Sequence, residues 1–234
     1  MEPTDAAEAL IGHAVDAVAA ARTLVESARL LRDGEGGSVA VDGADFRARR
    51  ADNRQRKVRS LPEEPLRNAC VAAMSVSDNM ALRDFDQAPL SVNNWLRPRQ
   101  WRQRAREWIA AYGIKAQGEL APVQSLSGGN VQRTVLSREL HGDVRLLMVM
   151  NPVFGLDFAA VREIHQRLQQ VRQQGGAVLL ISEDLDELLE LADRIVVMSE
   201  GRLVHEVPAA QAQRHVIGAY MAGAETEETL SCSP

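Results

Sequence analysis

At 234 residues, with a formal charge of −5 and 45% hydrophobic residues, the chain is long enough for one domain with a sizeable core, or a core plus a small subdomain. The acidic balance speaks against a general nucleic-acid binder, and Cys70 and Cys232 are too few and too distant for a disulfide framework or a zinc site. No stretch reaches the roughly 18 to 20 uncharged apolar residues of a transmembrane helix, and Met1-Glu2-Pro3-Thr4-Asp5 lacks the basic start of a signal peptide, so a cytoplasmic protein is expected.

Residues 5 to 32 carry Leu10, Ile11, Val15, Val18, Leu24, Val25, Ala28 and Leu31 at broadly helical spacing, which predicts one long helix or two shorter ones. Asp33-Gly34-Glu35-Gly36-Gly37 ends this region, and Ser38 to Gly43 reads as a short strand running into a turn. The arginines from Arg47 to Arg59, with Lys57 among them, read as a solvated helix face, an anionic surface being the alternative. Leu61-Pro62-Glu63-Glu64-Pro65 then breaks any helix. Met74 to Leu82 starts another, with Ser75 as its cap and Asp78 three positions on. Between Asn93 and Ala111, Trp95, Trp101 and Trp108 alternate with Arg97, Arg99, Arg102, Arg104 and Arg106. Such interleaving can hold single-stranded nucleic acid. However, Trp101, Ala105 and Trp108 fall at i, i+4, i+7, the stripe of a helix buried against protein, and no nucleic-acid partner is expected.

Gln124-Ser125-Leu126-Ser127-Gly128-Gly129-Asn130-Val131-Gln132-Arg133 leads into Val131, Val135, Leu136 and Leu140, the spacing of a helix with one buried face. A glycine pair lets the backbone approach a ligand closely, and the first amides of a helix point outward unpaired, so the loop is suited to phosphate. A plain helix cap is the alternative. Further on, Arg145 to Met150 is an apolar run of strand length, as in a strand covered on both faces of a parallel sheet. Asp157 caps the next helix, which buries Val161, Ile164, Leu168 and Val171 and ends at Gly175-Gly176. Ala177 to Ile181 is a second buried strand. Asp184 and Glu187 form a capping box for a helix carrying Leu185, Leu188, Leu189 and Ala192, and Arg194 to Glu206 reads as a hairpin turning at Glu200-Gly201. Alternating strands and helices imply a parallel α/β core with right-handed crossovers.

Leu126 to Arg133 resembles the signature loop of ATP-binding cassette (ABC) proteins, and the resemblance extends over residues 38 to 206. It implies an ABC-type P-loop NTPase fold, a parallel sheet core with a helical subdomain. The implied division is a helical N-terminal segment over 1–37, the α/β core over 38–68 and 120–207, the subdomain over 69–119 and a tail over 208–234. Leu146 to Pro152 resembles the Walker B strand, whose Asp and Glu positions hold Met150 and Asn151. A thioether and an amide should neither bind Mg²⁺ nor orient the attacking water well. Gly155-Leu156-Asp157 resembles the D-loop, and Pro62-Glu63 stands at the Q-loop position. Ser182 to Glu187 resembles the switch segment, with Glu183 where active members carry His; a carboxylate there repels phosphate unless protonated. A GxxxxGK[ST] phosphate loop occurs nowhere in the chain, and Lys is found only at Lys57 and Lys115. Ala7 to Gly12 looks like the helix that follows such a loop, so the fold is expected to be N-terminally incomplete.

The same pattern resembles the second, degenerate cassette of the fused ATPases that serve importers of ribose-type sugars and nucleosides. The resemblance implies no catalytic and no metal-binding residue in this chain. ATP is shared with another cassette, Mg²⁺ is held through that partner, and Ser127, Gly128, Gly129, Asn130 and Gln132, with Asp157, contribute in trans. The other implied partner is an integral membrane permease, placing the chain on the inner face of the cell membrane. An interaction module without nucleotide, or a truncated fragment with no stable fold, are the alternatives.

Overall fold

The computed structural model describes residues 39–41, 44–46, 55–93, 95–153, 156–199 and 202–223. They group into two compact units, the first holding described residues 55–181 and the second 39–46 and 182–223. The helices expected over residues 5–32 lie outside the described residues, as do Arg47 to Arg54 and the turn at Glu200-Gly201. In the second unit, β1 (Val39–Val41) and β2 (Ala44–Phe46) pair antiparallel, so the strand expected near Ser38 is present and is half of a hairpin.

The first unit is built on three parallel strands in the order β3 (Val58–Leu61), β6 (Leu146–Met150), β7 (Ala177–Ile181). Strand β6 lies between the other two, and Leu146, Leu147 and Val149 are buried, as a strand covered on both faces requires. Between β3 and β6 the chain forms α1 (Pro65–Asn68), α2 (Val76–Ala81), a two-stranded ribbon of β4 (Ser91–Val92) and β5 (Trp95–Leu96), α3 (Pro98–Ala111) and α4 (Gly128–Glu139). Between β6 and β7 runs α5 (Phe158–Gln173), the crossover that two parallel neighbours need. Its return is tight. A Cβ on Gly176 would stand 2.6 Å from the Val144 carbonyl oxygen and 2.8 Å from Val171 Cγ1, and the Gly176 amide donates back to the Val171 carbonyl at 3.0 Å.

The helical segment has its own apolar cluster of Val76, Met80, Ala105, Trp108 and Ile114, with Leu126 packed against it. Here the Trp101-Ala105-Trp108 stripe faces protein as expected: Ala105 and Trp108 are buried, and Trp101 Nε1 donates to the Leu90 carbonyl at 3.0 Å. Ser75 caps α2 by accepting from the Asp78 amide at 3.1 Å.

Two expectations are corrected in this unit. Arg59 does not lie on a solvated helix face. It is a β3 residue only 7% exposed, because Val58 and Leu61 on either side belong to the buried sheet, and burial with the nearby Arg83 charge depresses its guanidinium pKa. Helix α4 is not one-faced either. Besides Val131, Val135 and Leu136 it buries Asn130, Gln132, Thr134, Ser137, Arg138 and Glu139, because it packs against β3 on one side and α1 and α2 on the other. Its buried charges are therefore paired. Arg138 donates to Glu139 at 2.8 Å and to the carbonyls of Ala69 and Asn79 at 3.0 and 3.1 Å, and Arg83 completes the set on the second Glu139 oxygen.

In the second unit, α6 (Leu185–Leu191), the antiparallel pair β8 (Arg194–Ser199) and β9 (Arg202–Pro208), and α7 (Arg214–Met221) enclose Ile195, Val197 and Ile217. Asp184 caps α6, accepting from the amides of Asp186 and Glu187 at 2.9 and 3.4 Å. Residues 214–221, in the stretch read as a tail, form a helix because Ile217 and Tyr220 supply an apolar face for β8.

Candidate functional site

Leu126 anchors the loop in the helical cluster, and Ser127 follows in an extended conformation as the N-cap residue of α4. A serine at this position ordinarily accepts from an amide of the first turn. Here its Oγ accepts from the Asn130 side-chain amide at 2.7 Å instead. The Asn130 and Val131 amides both turn to the Ser127 carbonyl at 2.9 Å, so the amides of Gly128 and Gly129 have no acceptor among the described residues. Two donors at the positive end of a 12-residue helix are thus kept available.

The loop is held by side chains that point inward. Asn130 is buried, and its Oδ1 accepts from the Lys115 amide at 2.8 Å. Gln132, also buried, donates to the carbonyl of Pro152, in the turn after β6. Gly129 approaches the same region, since a Cβ there would lie 3.1 Å from Leu156 Cδ2. Gly128 differs. A Cβ on it meets nothing within 4 Å, so no neighbour among the described residues demands a glycine. Of the five predicted loop residues, Asn130 and Gln132 build the support, while Ser127 and the two glycines form the outward rim.

The parallel register decides the second group. Leu61 pairs with Val149, so the residues after β3 emerge beside those after β6. Glu63 and Asn151, 88 positions apart, come together there, and Asn151 Nδ2 donates to Glu63 Oε1 at 3.2 Å. Asn151 adopts φ +44, a left-handed conformation that asparagine tolerates better than most residues, and its own amide donates to the Ile181 carbonyl at 2.8 Å. Met150 ends the strand 40% exposed. A carboxylate, an amide and a thioether therefore occupy the strand ends. Among the described residues no three His, Cys, Asp or Glu side chains gather where a cation could sit. Met150 offers no oxygen and Asn151 turns its Nδ2 to Glu63, so these strand ends present a single carboxylate toward Mg²⁺, a cation that takes an octahedral set of oxygens.

Asp157 begins α5, accepting from the amides of Ala159 and Ala160 at 3.0 and 2.9 Å. The Ala160 hydrogen bond, joined by that of Ala159 and the charges of Arg133 and Lys115, holds its carboxyl below the usual aspartate range against a smaller effect of burial. Gly155 lies outside the described residues. Glu183, in the second unit, is exposed, and beside it the Asp184 amide donates to Ser182 Oγ at 3.0 Å.

Two residues of the site, Lys115 and Phe158, lay in no motif. Lys115 acts through its backbone amide, as Pro152 and Leu156 act through a carbonyl and shape, and no residue pattern reveals that. Phe158, 90% exposed in the first turn of α5, had a visible signal: a large apolar residue next to a cap and outside the helix's buried stripe.

No protein-family model matches the chain. It is 33% identical over 206 residues to the nucleoside import ATP-binding protein NupA of Lactococcus lactis subsp. cremoris, covering 88% of this chain and 41% of that protein. It is 37% identical over 186 residues to the arabinose import ATP-binding protein AraG of Ralstonia nicotianae, covering 77% and 36%. The guanosine import ATP-binding protein NupO of Bacillus subtilis is 29% identical over 210 residues, covering 88% and 40%. The chain thus spans about two fifths of the length of the curated relatives it matches. Among solved structures, the fold resembles the dimeric ATP-binding cassette MJ0796 in a post-hydrolysis state bound to ADP and phosphate. That match has a TM-score of 0.60 and 19% identity and covers 74% of this chain and 73% of the other.

Proposed function

Because its homologues are ABC ATP-binding proteins of sugar and nucleoside import, and its fold is that of an ABC-type P-loop NTPase, we propose that this chain completes an ATP site in trans. In this reading it belongs to a sugar or nucleoside importer, and its signature loop meets ATP carried by the phosphate loop of another cassette. The observation that carries the proposal is the rim at Gly128. The loop is braced from within by Asn130 and Gln132, and the two helix amides meet no acceptor among the described residues.

The division of labour follows from the side chains. Ser127 and the amides of Gly128 and Gly129 donate to the terminal phosphate, where the helix end favours negative charge. Asp157 and Phe158 project toward the partner cassette. Met150, Asn151 and Glu63 at the strand ends leave this chain's own nucleotide position inactive, so Mg²⁺ is held by the partner alone. An integral membrane permease on the inner face of the membrane is the remaining partner, and the N-terminal segment lacks a phosphate loop.

The test is reconstitution with a cassette carrying an intact GxxxxGK[ST] loop. The chain alone should hydrolyse no ATP. The mixture should associate in an ATP-dependent manner and turn over, and Ser127→Arg should abolish that turnover while leaving the fold intact. Mg²⁺-dependent hydrolysis by the chain alone, or full partner-stimulated turnover by Ser127→Arg, would overturn the proposal.

A further inference from the structure

The ribbon of β4 and β5 and the start of α3 serve no part of the nucleotide reading. Trp95 is 79% exposed and Leu96 50% exposed at the end of this ribbon, an unusual degree of exposure for a large aromatic. Arg97, Arg99 and Arg102 follow directly, all exposed and with no ion pair within 4.0 Å among the described residues; Arg102 lies in the field of the Glu119 carboxylate, which Arg106 binds. The other basic residues of α3 are engaged. Arg104 faces Asp84 at 3.8 Å and stacks on Trp108 at 4.5 Å, and Arg106 donates to Glu119 at 2.6 Å. Arg99 and Arg102 stand at i, i+3 and share one stripe of α3. The only acid of the helix, Glu107, accepts from Gln103 at 3.3 Å, two turns beyond Arg99.

We infer that residues 95–102 form a contact for an anionic lipid surface, with Trp95 and Leu96 entering the headgroup layer and the three arginines meeting lipid phosphates. Indole rings favour that layer, and basic side chains beside it are drawn to anionic lipid. Charge complementarity also sets the orientation. A chain of net charge −5 is repelled by such a surface except where a local basic patch faces it. Single-stranded nucleic acid fits less well, because it needs successive free rings along the basic track. Trp108 is only 8% exposed and Trp101 is tied to Leu90, leaving one free ring.

The inference is independent of the nucleotide proposal, since vesicle binding requires neither ATP nor a second cassette. The full chain should sediment with phosphatidylglycerol-containing vesicles and not with pure phosphatidylcholine vesicles, and added salt should release it. Each of Arg97→Gln, Arg99→Gln and Arg102→Gln should lower partitioning about fivefold, the factor equivalent to about 1 kcal/mol per basic residue. Brominated lipid should quench tryptophan fluorescence in the native chain and not in Trp95→Phe, because Trp101 and Trp108 face the protein. Thermal melts that match the native chain confirm folding of each variant. Absence of vesicle binding, equal binding to uncharged vesicles, retained quenching in Trp95→Phe, or tighter binding to a single-stranded oligonucleotide would each overturn the inference.

Discussion

Gly128→Ala separates what the fold needs from what a partner needs. The added methyl meets no other described residue within 4 Å, and Gly128 has no left-handed φ that alanine would strain. Alanine is favoured over glycine in a helix by about 0.5–1 kcal/mol, with only part of that effective in the first turn. Stability should therefore stay level or rise by up to about 1 kcal/mol, a shift of roughly 0–4 °C in Tm for a chain of this size. Turnover with a phosphate-loop partner should move the other way. A methyl on the rim stands where phosphate approaches the Gly128 amide, and losing one such donor costs about 100- to 1,000-fold in other enzymes, so at least a tenfold fall is expected. Gly129→Ala is the internal control. Its Cβ lies 3.1 Å from Leu156 Cδ2, so the leucine must shift, and both stability and turnover should drop, stability by about 1 kcal/mol. Urea denaturation and ATP hydrolysis of the mixed assembly give the two readouts. A Gly128→Ala protein that unfolds more easily by over about 1 kcal/mol, or that turns over as fast as the native one, would refute the reasoning.

Three further outcomes follow from the same geometry. Asn151→Glu should gain no hydrolysis and should lose stability, because glutamate at φ +44 costs about 1–2 kcal/mol and a second carboxylate then faces Glu63; adding Glu63→Gln should restore part of the loss in urea denaturation. Glu139→Ala should cost about 3–5 kcal/mol, measured by urea midpoint, since it removes the buried carboxylate that balances the charges of Arg138 and the part-buried Arg83. The Asp157 carboxyl is depressed in the folded state, so its contribution is complete above the unfolded-state pKa and is lost as pH falls through the folded one. Asp157→Asn keeps a capping oxygen without titrating. The advantage of the native chain over this variant in thermal melts should thus shrink between neutral pH and about pH 3, and a constant difference would disprove the assignment.

Local features were legible wherever one residue's chemistry decides the outcome. Ser75, Asp157 and Asp184 cap the helices expected of them, Leu146 to Met150 and Ala177 to Ile181 are strands, and Gly128 opens a helix. Arg59 was misread because a charge run gives no sign of the strand that buries its last member. Helix α4 was misread for a related reason. Periodicity registers one apolar face, whereas burial on a second face by polar groups depends on partners such as Ala69, Asn79 and Arg83, which are distant in sequence.

By itself the order of residues determined that a glycine pair after Ser127 opens a helix and that no carboxylate stands at Met150 or Asn151, because both are matters of composition at a position. Only the tertiary structure decided what surrounds them. The parallel register of β3 and β6 brings Glu63 to Asn151, a contact between strand ends that no spacing along the chain encodes. Packing of α4 against the turn after β6 sorts the loop into inward braces, Asn130 and Gln132, and an outward rim, Ser127 to Gly129. Two adjacent glycines look alike in sequence. In space a Cβ on one would press on Leu156, while a Cβ on the other would meet nothing among the described residues, so the two respond differently to the same substitution.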